Sequence, residues 1–422
     1  MKFFKNNFLN SSYDLDFRVI SFLFILLPFT LITGPFLPDL FLSVIALYFL
    51  VISIHKKLFN YYKNKVVYIF SFFYFYLLIR GLLSNYPYDS LINYNGPLFY
   101  FRYLFFVLGI KYILDTNSYL IKIFSIALLI TLIFVIVDGY LQWIIGTNIF
   151  GFTSTNNRLS GIFKDEQILG HFLSHVIPLL IGLLIYVYGI NKKNIFLLIS
   201  LLVISEILIF ITNDRAGFLK IFQFSLLLIL LSNHFKFYRL ISFIISIIVI
   251  ALILQNSPAS KQRYSVTVHE VSSTYLPYMP WTYHHEKHFK LALKMFKDNP
   301  IFGQGPQIFR TLCDLPDPKE GCTNHPHNYY FQTLSELGLI GLLFLLIGFY
   351  YISLKLLKQF YNLWFNKKNK LLILPDHLVA MYSLALILFW PLIPHQSFYN
   401  NWLNVYVFLP FGFLLFFHSK KK

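Results

Sequence analysis

The chain has 422 residues, of which 57% are hydrophobic, 20% aromatic and only 13% charged, with a mean hydropathy of +0.62. No soluble domain has this composition. The formal charge of +17 would suit nucleic acid, but most of the excess falls in short loops between apolar runs, where membrane topology accounts for it without a nucleic-acid partner.

Apolar runs long enough to cross a hydrocarbon core are predicted at Phe17–Thr33, Pro38–Ile54, Val66–Leu83, Leu98–Leu114, Tyr119–Val137 and Ile168–Ile190. Others follow at Ile195–Ile211, Phe218–Leu231, Leu240–Leu254, Tyr329–Tyr351, His377–Ile393 and Trp402–Phe417. The fold class is therefore an all-α polytopic membrane protein with about twelve transmembrane helices. The basic start runs through Gly34-Pro35-Phe36-Leu37-Pro38 straight into the second span with no small-residue cleavage pattern, so the first helix is expected to be retained. With no tandem repeat and no low-complexity linker, residues 1–422 read as one membrane domain.

Lysines set the orientation. Lys2 and Lys5, Lys56 to Lys65, Lys192 and Lys193, Lys236 and Arg239, Lys355 to Lys370 and Lys420 to Lys422 occupy alternate loops, and such loops stay in the cytoplasm. Both termini are then cytoplasmic, and residues 138–167, 213–216 and a long loop within 255–328 face outward.

That long loop precedes the tenth helix. It carries both cysteines, Cys313 and Cys322, which form either a small stapled loop on an oxidising side or two free thiols. Gln255–Pro280 reads as irregular. Thr282–Asp298 sets Phe289, Leu293 and Phe296 against His285, Lys290, Lys294 and Lys297, which predicts an amphipathic helix on the membrane face. Asn299-Pro300-Ile301-Phe302-Gly303-Gln304-Gly305-Pro306 must turn.

Candidate chemistry gathers on these outer segments. In His325-Pro326-His327-Asn328, the proline biases His325 away from helix and leaves His327 at the start of the tenth span. An imidazole there is either an idle interfacial side chain or a base for a hydroxyl nucleophile, at a helix terminus that favours anions. Gly338 and Gly341 share a helical face and predict close helix packing. Glu336 is a carboxylate within a membrane helix and needs a partner, an Arg, a His or a wet cavity. Arg215, in Asn213-Asp214-Arg215-Ala216-Gly217, presents a planar fork suited to phosphate oxygens unless it only snorkels. Arg80, Arg102, Arg158, Lys164, Arg263 and Arg310 also lie outward, against the usual charge bias, and together ask for an anionic partner such as a lipid-linked phosphate.

A metal-dependent sugar transferase would show an acidic pair on the reacting side, and Asp165-Glu166, which faces outward, is a possible one. His284-His285-Glu286-Lys287-His288 sets His284 and His288 one turn apart, as a metal pair would be, but lacks the spacing of the His-Glu-x-x-His zinc motif, and neither a glycine-rich nucleotide loop nor a serine nucleophile elbow appears.

His327 and Asn328, nine residues, then Gly338-Leu339-Ile340-Gly341 resemble the signature of the bacterial O-antigen ligase and polymerase superfamily, closest to the ligases. Leu342 stands where the family often has Ser or Thr. Asn299 to Gly305, Arg215-Ala216-Gly217 and Arg158-Leu159-Ser160-Gly161-Ile162-Phe163 also look like family segments. The resemblance implies a GT-C-like glycosyltransferase of the bacterial inner membrane. It would move a glycan from a polyprenyl diphosphate carrier to an acceptor hydroxyl at the periplasmic face, with inversion and with no metal or other cofactor.

On that reading His327 is the general base and Arg215 the first cation on the diphosphate. Arg158, Lys164, Arg263, Arg310, His325 and Asn328 bind substrate, while Gly303, Gly305, Gly338, Gly341, Cys313 and Cys322 shape the site. The acceptor is lipid A-core oligosaccharide for a ligase, a second lipid-linked glycan for a polymerase, or a Ser or Thr side chain for a protein glycosyltransferase. From a different class, a lipid-linked glycan transporter would show repeated halves and polar breaks at the midplane, whereas here the polar residues concentrate in one loop.

Overall fold

The computed structural model describes residues 13–93, 96–154, 158–258, 260–265, 282–314, 320–366 and 372–419. The twelve apolar runs each fall on a helix: α1 (Leu15–Thr30), α2 (Phe36–His55), α3 (Lys65–Leu82), α4 (Arg102–Thr116), α5 (Leu120–Ile145), α6 (Leu169–Tyr188), α7 (Lys192–Ile211), α8 (Arg215–Leu231), α9 (Lys236–Asn256), α12 (Tyr329–Trp364), α13 (Asp376–Leu388) and α14 (Asn401–Ser419). Between α9 and α12 lie α10 (Tyr283–Asp298) and the short α11 (Phe309–Asp314). Among the described residues nine helices are long and apolar enough to span a bilayer. The three shorter ones, α1, α8 and α13, have 16, 17 and 13 residues. The protein is an all-α, multi-pass membrane protein.

Contacts between loops divide these helices into two ends. Lys56 pairs with Asp14, Tyr61 bonds Asp115 and Lys122 lies over Tyr188. Asp376 accepts the backbone N–H groups of Asn233, His234 and Phe235. These contacts join the lysine-bearing loops at a basic end. At the opposite end Trp402 bonds the Leu31 carbonyl, Ser90 the Pro306 carbonyl and the His395 amide the His327 carbonyl. Helix α6 is the hub, with 83% of its apolar window buried against 22% for α3, α9 and α12.

Four expectations change. Arg239 is no loop cation: it is fully buried in α9, paired with Glu206 and hydrogen-bonded to Ser225 and Ser242, because an ion inside a bilayer must be matched internally. Residues 260–265, expected to be irregular, are helical; residues 266–281 lie outside the described residues. Helix α10 turns Phe289, Ala292 and Met295 inward, leaving Leu293 exposed. Its apolar stripe packs on protein, with Phe289 stacked on Phe331 at 4.3 Å and Met295 beside Phe309 and Cys313. Gly338 and Gly341 form no common helix-packing face, since α12 breaks at Gly338 (φ 66°, ψ −162°).

Candidate active site

The break in α12 exists because another loop threads into it. Pro300 and Ile301 carbonyls accept the Leu339 and Ile340 amides, while the Gln304 and Gly305 amides donate to the Ser335 and Glu336 carbonyls. A Cβ on Gly303 would lie 2.4 Å from the Glu336 backbone, and one on Gly338 would lie 2.4 Å from the Ile301 carbonyl oxygen. Both glycines have positive φ, so backbone meets backbone where no side chain fits. Arg80 closes the lock with Nε and Nη2 on the Phe302 and Gly303 carbonyls at 2.9 and 2.7 Å. Tyr76 adds a hydroxyl bond of 2.6 Å to the Leu337 carbonyl. Glu336, buried beside the break, accepts the Phe309 amide at 3.2 Å, so this carboxylate orients the outer loop through its backbone.

The lock sets the two turns of α12 that precede the break, and those turns carry the site. Asn328 is fully buried. Its side chain caps the helix by accepting the Tyr330 and Phe331 amides and donates to the Pro391 carbonyl at 2.8 Å. Asn328 thus serves as an anchor for His327. His327 itself holds φ 54°, a left-handed conformation rare outside glycine and enriched at functional sites. The His395 amide donates to its carbonyl at 2.8 Å. The ring is left half-buried among other imidazoles, 4.2 Å from His325, 5.3 Å from His288 and 5.9 Å from His285 between centroids.

Each neighbour is itself oriented. His288 Nδ1 bonds the Gly321 carbonyl and His285 Nδ1 the Thr282 hydroxyl, both at 2.8 Å. Burial, then repulsion from His288, pulls the His327 pKa down to about 4. Burial and the His327 charge bring His325 and His285 down to about 3. At neutral pH His285, His325 and His327 are uncharged, and the His327 ring, which makes no hydrogen bond among the described residues, is free to accept a proton.

Two arginines reach this cluster, and two more lie beside the start of α8. Arg215 is the first residue of α8, after the left-handed Asn213 and the capping carboxylate of Asp214, and it lies in electrostatic reach of His285. Gly217 lets the start of α8 touch Gly170 of α6, where a Cβ would fall 2.7 Å from the backbone. Arg158 faces Asp214 at 4.0 Å, bonds the Gln167 carbonyl at 3.0 Å and lies near Arg263. Arg310 acts on His325 in the same way. The structure thus brings Arg215 and Arg310 into electrostatic reach of the histidine cluster and sets Arg158, with Arg263 near it, beside Asp214, the residue before Arg215.

Other candidates fall elsewhere. Arg102 pairs with Asp39 at 2.7 Å, and Arg80 is spent on the lock. Lys164 sits over Phe152 in a cleft of about 1100 Å³ that it shares with Glu166, Asn401 and Trp402. Cys313 and Cys322 are disulfide-bonded and staple α11 to the segment leading to His327.

Sequence reading missed His285 and His288 as neighbours of His327, because it weighed their stretch only for metal spacing. It also missed His395, which stacks on Tyr329 at 4.3 Å; only its place in a polar break before the last helix could have signalled it.

The depressed histidines make acid stability testable. A histidine whose folded pKa lies below about 6.5 takes up its proton more readily when the chain opens, so its contribution is whole above about pH 6.5 and is lost toward pH 4. Protection factors across residues 320–331, each referenced to the intrinsic exchange rate at that pH, are therefore expected to fall between pH 7 and 5, and His327→Gln is expected to flatten that fall.

Residues 195–346 match the family model described as O-antigen ligase. The matched segment runs from α7 into α12 and takes in Arg215, Arg263, Arg310, His325, His327, Gly338 and Gly341, leaving Arg158 and Lys164 outside it. No curated protein matches the chain.

Proposed function

From the O-antigen ligase domain matched by residues 195–346, which supports glycosyl transfer of the ligase or polymerase type, we propose that this protein is a glycan ligase of the bacterial inner membrane. It moves a glycan from polyprenyl diphosphate to a hydroxyl of lipid A-core oligosaccharide at the periplasmic face. The observation that carries this reading is that Arg215 and Arg310 reach the histidine cluster around His327, with Arg158, and Arg263 near it, beside Asp214 next to Arg215, at the end of the bundle away from the basic loops.

Transfer forms a bond between the acceptor oxygen and C1 of the donor sugar, while the bond from C1 to the diphosphate oxygen breaks. His327 takes the hydroxyl proton. Arg215, with Arg158, Arg263 and Arg310, stabilises the charge that develops on the diphosphate, a role that fixed guanidinium groups perform without reorganisation. Substrate charge also tunes the base, because a diphosphate beside the histidines favours the imidazolium and raises the low pKa of His327 toward neutrality. Attack opposite the leaving group inverts the anomeric centre. His325 lies against His327 and contributes to the same substrate-facing surface, and Lys164 borders the neighbouring cleft where a lipid or glycan can rest.

The test is a deletion of the native copy, complemented by the parent or by variants, with lipopolysaccharide resolved by electrophoresis and blotting. The parent is expected to restore long glycan chains. Single repeats that remain attached in the deletion would identify a polymerase instead, and unaltered lipopolysaccharide with lost protein glycosylation would identify a protein glycosyltransferase. Arg215→Ala is expected to lower transfer by about 100-fold or more. Arg215→Lys should recover only part, because a point charge lacks the bidentate fork. Both are read in purified protein as turnover of a polyprenyl diphosphate glycan.

A further inference from the structure

Beneath the site a row of polar side chains continues into the apolar interior with no part in the chemistry above. Lys220, five residues beyond Arg215 on α8, is fully buried, and a buried ammonium in a membrane helix is costly unless it serves a purpose. Its Nζ lies 3.3 Å from His175 Nε2. His175 Nδ1 lies 2.6 Å from the His171 carbonyl. That carbonyl can only accept, so the Nδ1 carries the hydrogen and the Nε2 lone pair faces Lys220.

One turn earlier on α6, His171 Nε2 meets the Gln396 side-chain oxygen at 2.8 Å and by the same logic donates to it. Gln396 adjoins His395, whose amide holds the His327 carbonyl at 2.8 Å and whose carbonyl faces His325 Nε2 at 3.4 Å. The row therefore runs from the helix that begins with Arg215, across the hub helix, to the backbone that grips both ends of His325-Pro326-His327. Side chain meets side chain at Lys220–His175 and at His171–Gln396, and the His171 backbone carbonyl, with the packed His171 and His175 rings 4.3 Å apart, joins the two pairs.

We infer that Lys220, through His175, His171 and Gln396, is a positioning residue that holds the segment at residues 395–396, and with it His327, in register with the Arg215 helix. This role rests on the proposed transfer only for its kinetic consequence; the mechanical coupling stands apart from it.

Hydrogen exchange by mass spectrometry on the full-length protein in detergent decides the coupling. Lys220→Met is expected to speed exchange at the His395 amide and in peptides covering residues 320–331 by about tenfold, the loss of roughly one hydrogen bond's protection, with peptides of α2 and α14 unchanged. His175→Gln keeps a donor toward the His171 carbonyl and an acceptor toward Lys220, so it should exchange as the parent does, whereas His175→Leu should behave as Lys220→Met.

In transfer assays Lys220→Met should lower kcat and leave the donor KM within about twofold, the mark of lost transition-state positioning without lost donor binding. Unchanged exchange near His395 in Lys220→Met, or exchange that rises evenly over the whole chain, would overturn the inference, as would His175→Gln behaving like His175→Leu. A parent that shows the coupling but no glycan transfer would refute the proposed function and leave the positioning role in place.

Discussion

Alanine at position 327 is expected to lower glycan transfer by about 10²- to 10⁴-fold, the usual share of a general base, with the protein still present and folded in the membrane. The structure separates these two outcomes. The fold uses only the His327 backbone, through the carbonyl that accepts the His395 amide, while the ring touches three other imidazoles and makes no hydrogen bond among the described residues. A methyl group in the left-handed conformation costs only about 1–2 kcal/mol. His327→Asn is the sharper control, because asparagine tolerates positive φ yet is no base at neutral pH. Turnover of a polyprenyl diphosphate glycan by purified protein, together with a melting curve, checks both variants. Transfer near the parental rate in both would move the proton acceptor to His285 or His325.

Gly338→Ala is expected to be among the most damaging single substitutions in the chain. Its backbone (φ 66°, ψ −162°) lies in a region that only glycine occupies readily, and the new Cβ would meet the Ile301 carbonyl oxygen at 2.4 Å and its carbon at 2.5 Å. Backbone strain and overpacking together cost about 3–5 kcal/mol, enough to unseat the loop of Gly303 and Gly305 or unfold a marginal protein. Gly348 lies ten residues further along the same helix with nothing within 4 Å of an added Cβ, and Gly348→Ala should instead add about 0.5–1 kcal/mol by helix propensity. Membrane level and thermal unfolding of the two variants, measured side by side, should diverge in opposite directions from the parent. Equal behaviour would mean that the break at Gly338 does not hold the structure together.

The contrast between these glycines shows where sequence reasoning stops. Gly338-x-x-Gly341 reads as a packing motif because a spacing of three on an assumed continuous helix puts both residues on one face. Nothing local says that the helix breaks there; the break is made by Asn299 to Gly305, which docks into it from more than thirty residues away. Glu336 posed the same difficulty. Its cost in a membrane helix was legible, while its partner, the Phe309 amide, depended on how that distant loop returned. Arg80 and Arg102 counted as free outward cations until the fold gave one to backbone carbonyls and the other to Asp39.

Within this chain the hydropathy of its apolar runs determined the helices, since a bilayer accepts few other ways of satisfying a backbone. The alternation of lysines determined which loops share an end, and that grouping is borne out by contacts such as Lys56 with Asp14 and Asp376 with the amides of Asn233 to Phe235. The start of α12 just after His327 was likewise legible, because Pro326 and the apolar run that follows are local signals, whereas Asn328, read as a substrate-binding residue, proved to cap that helix. Only the tertiary structure decided which charges are spent internally and which meet: that Arg215 reaches His285 and Arg310 reaches His325, that Arg158, with Arg263 near it, lies beside Asp214, that His285 and His288 join His327, and that Lys220 lies beneath. Electrostatic and hydrogen-bond partners are chosen by distance in space, and a pattern along the chain carries distance only within a turn or two of helix.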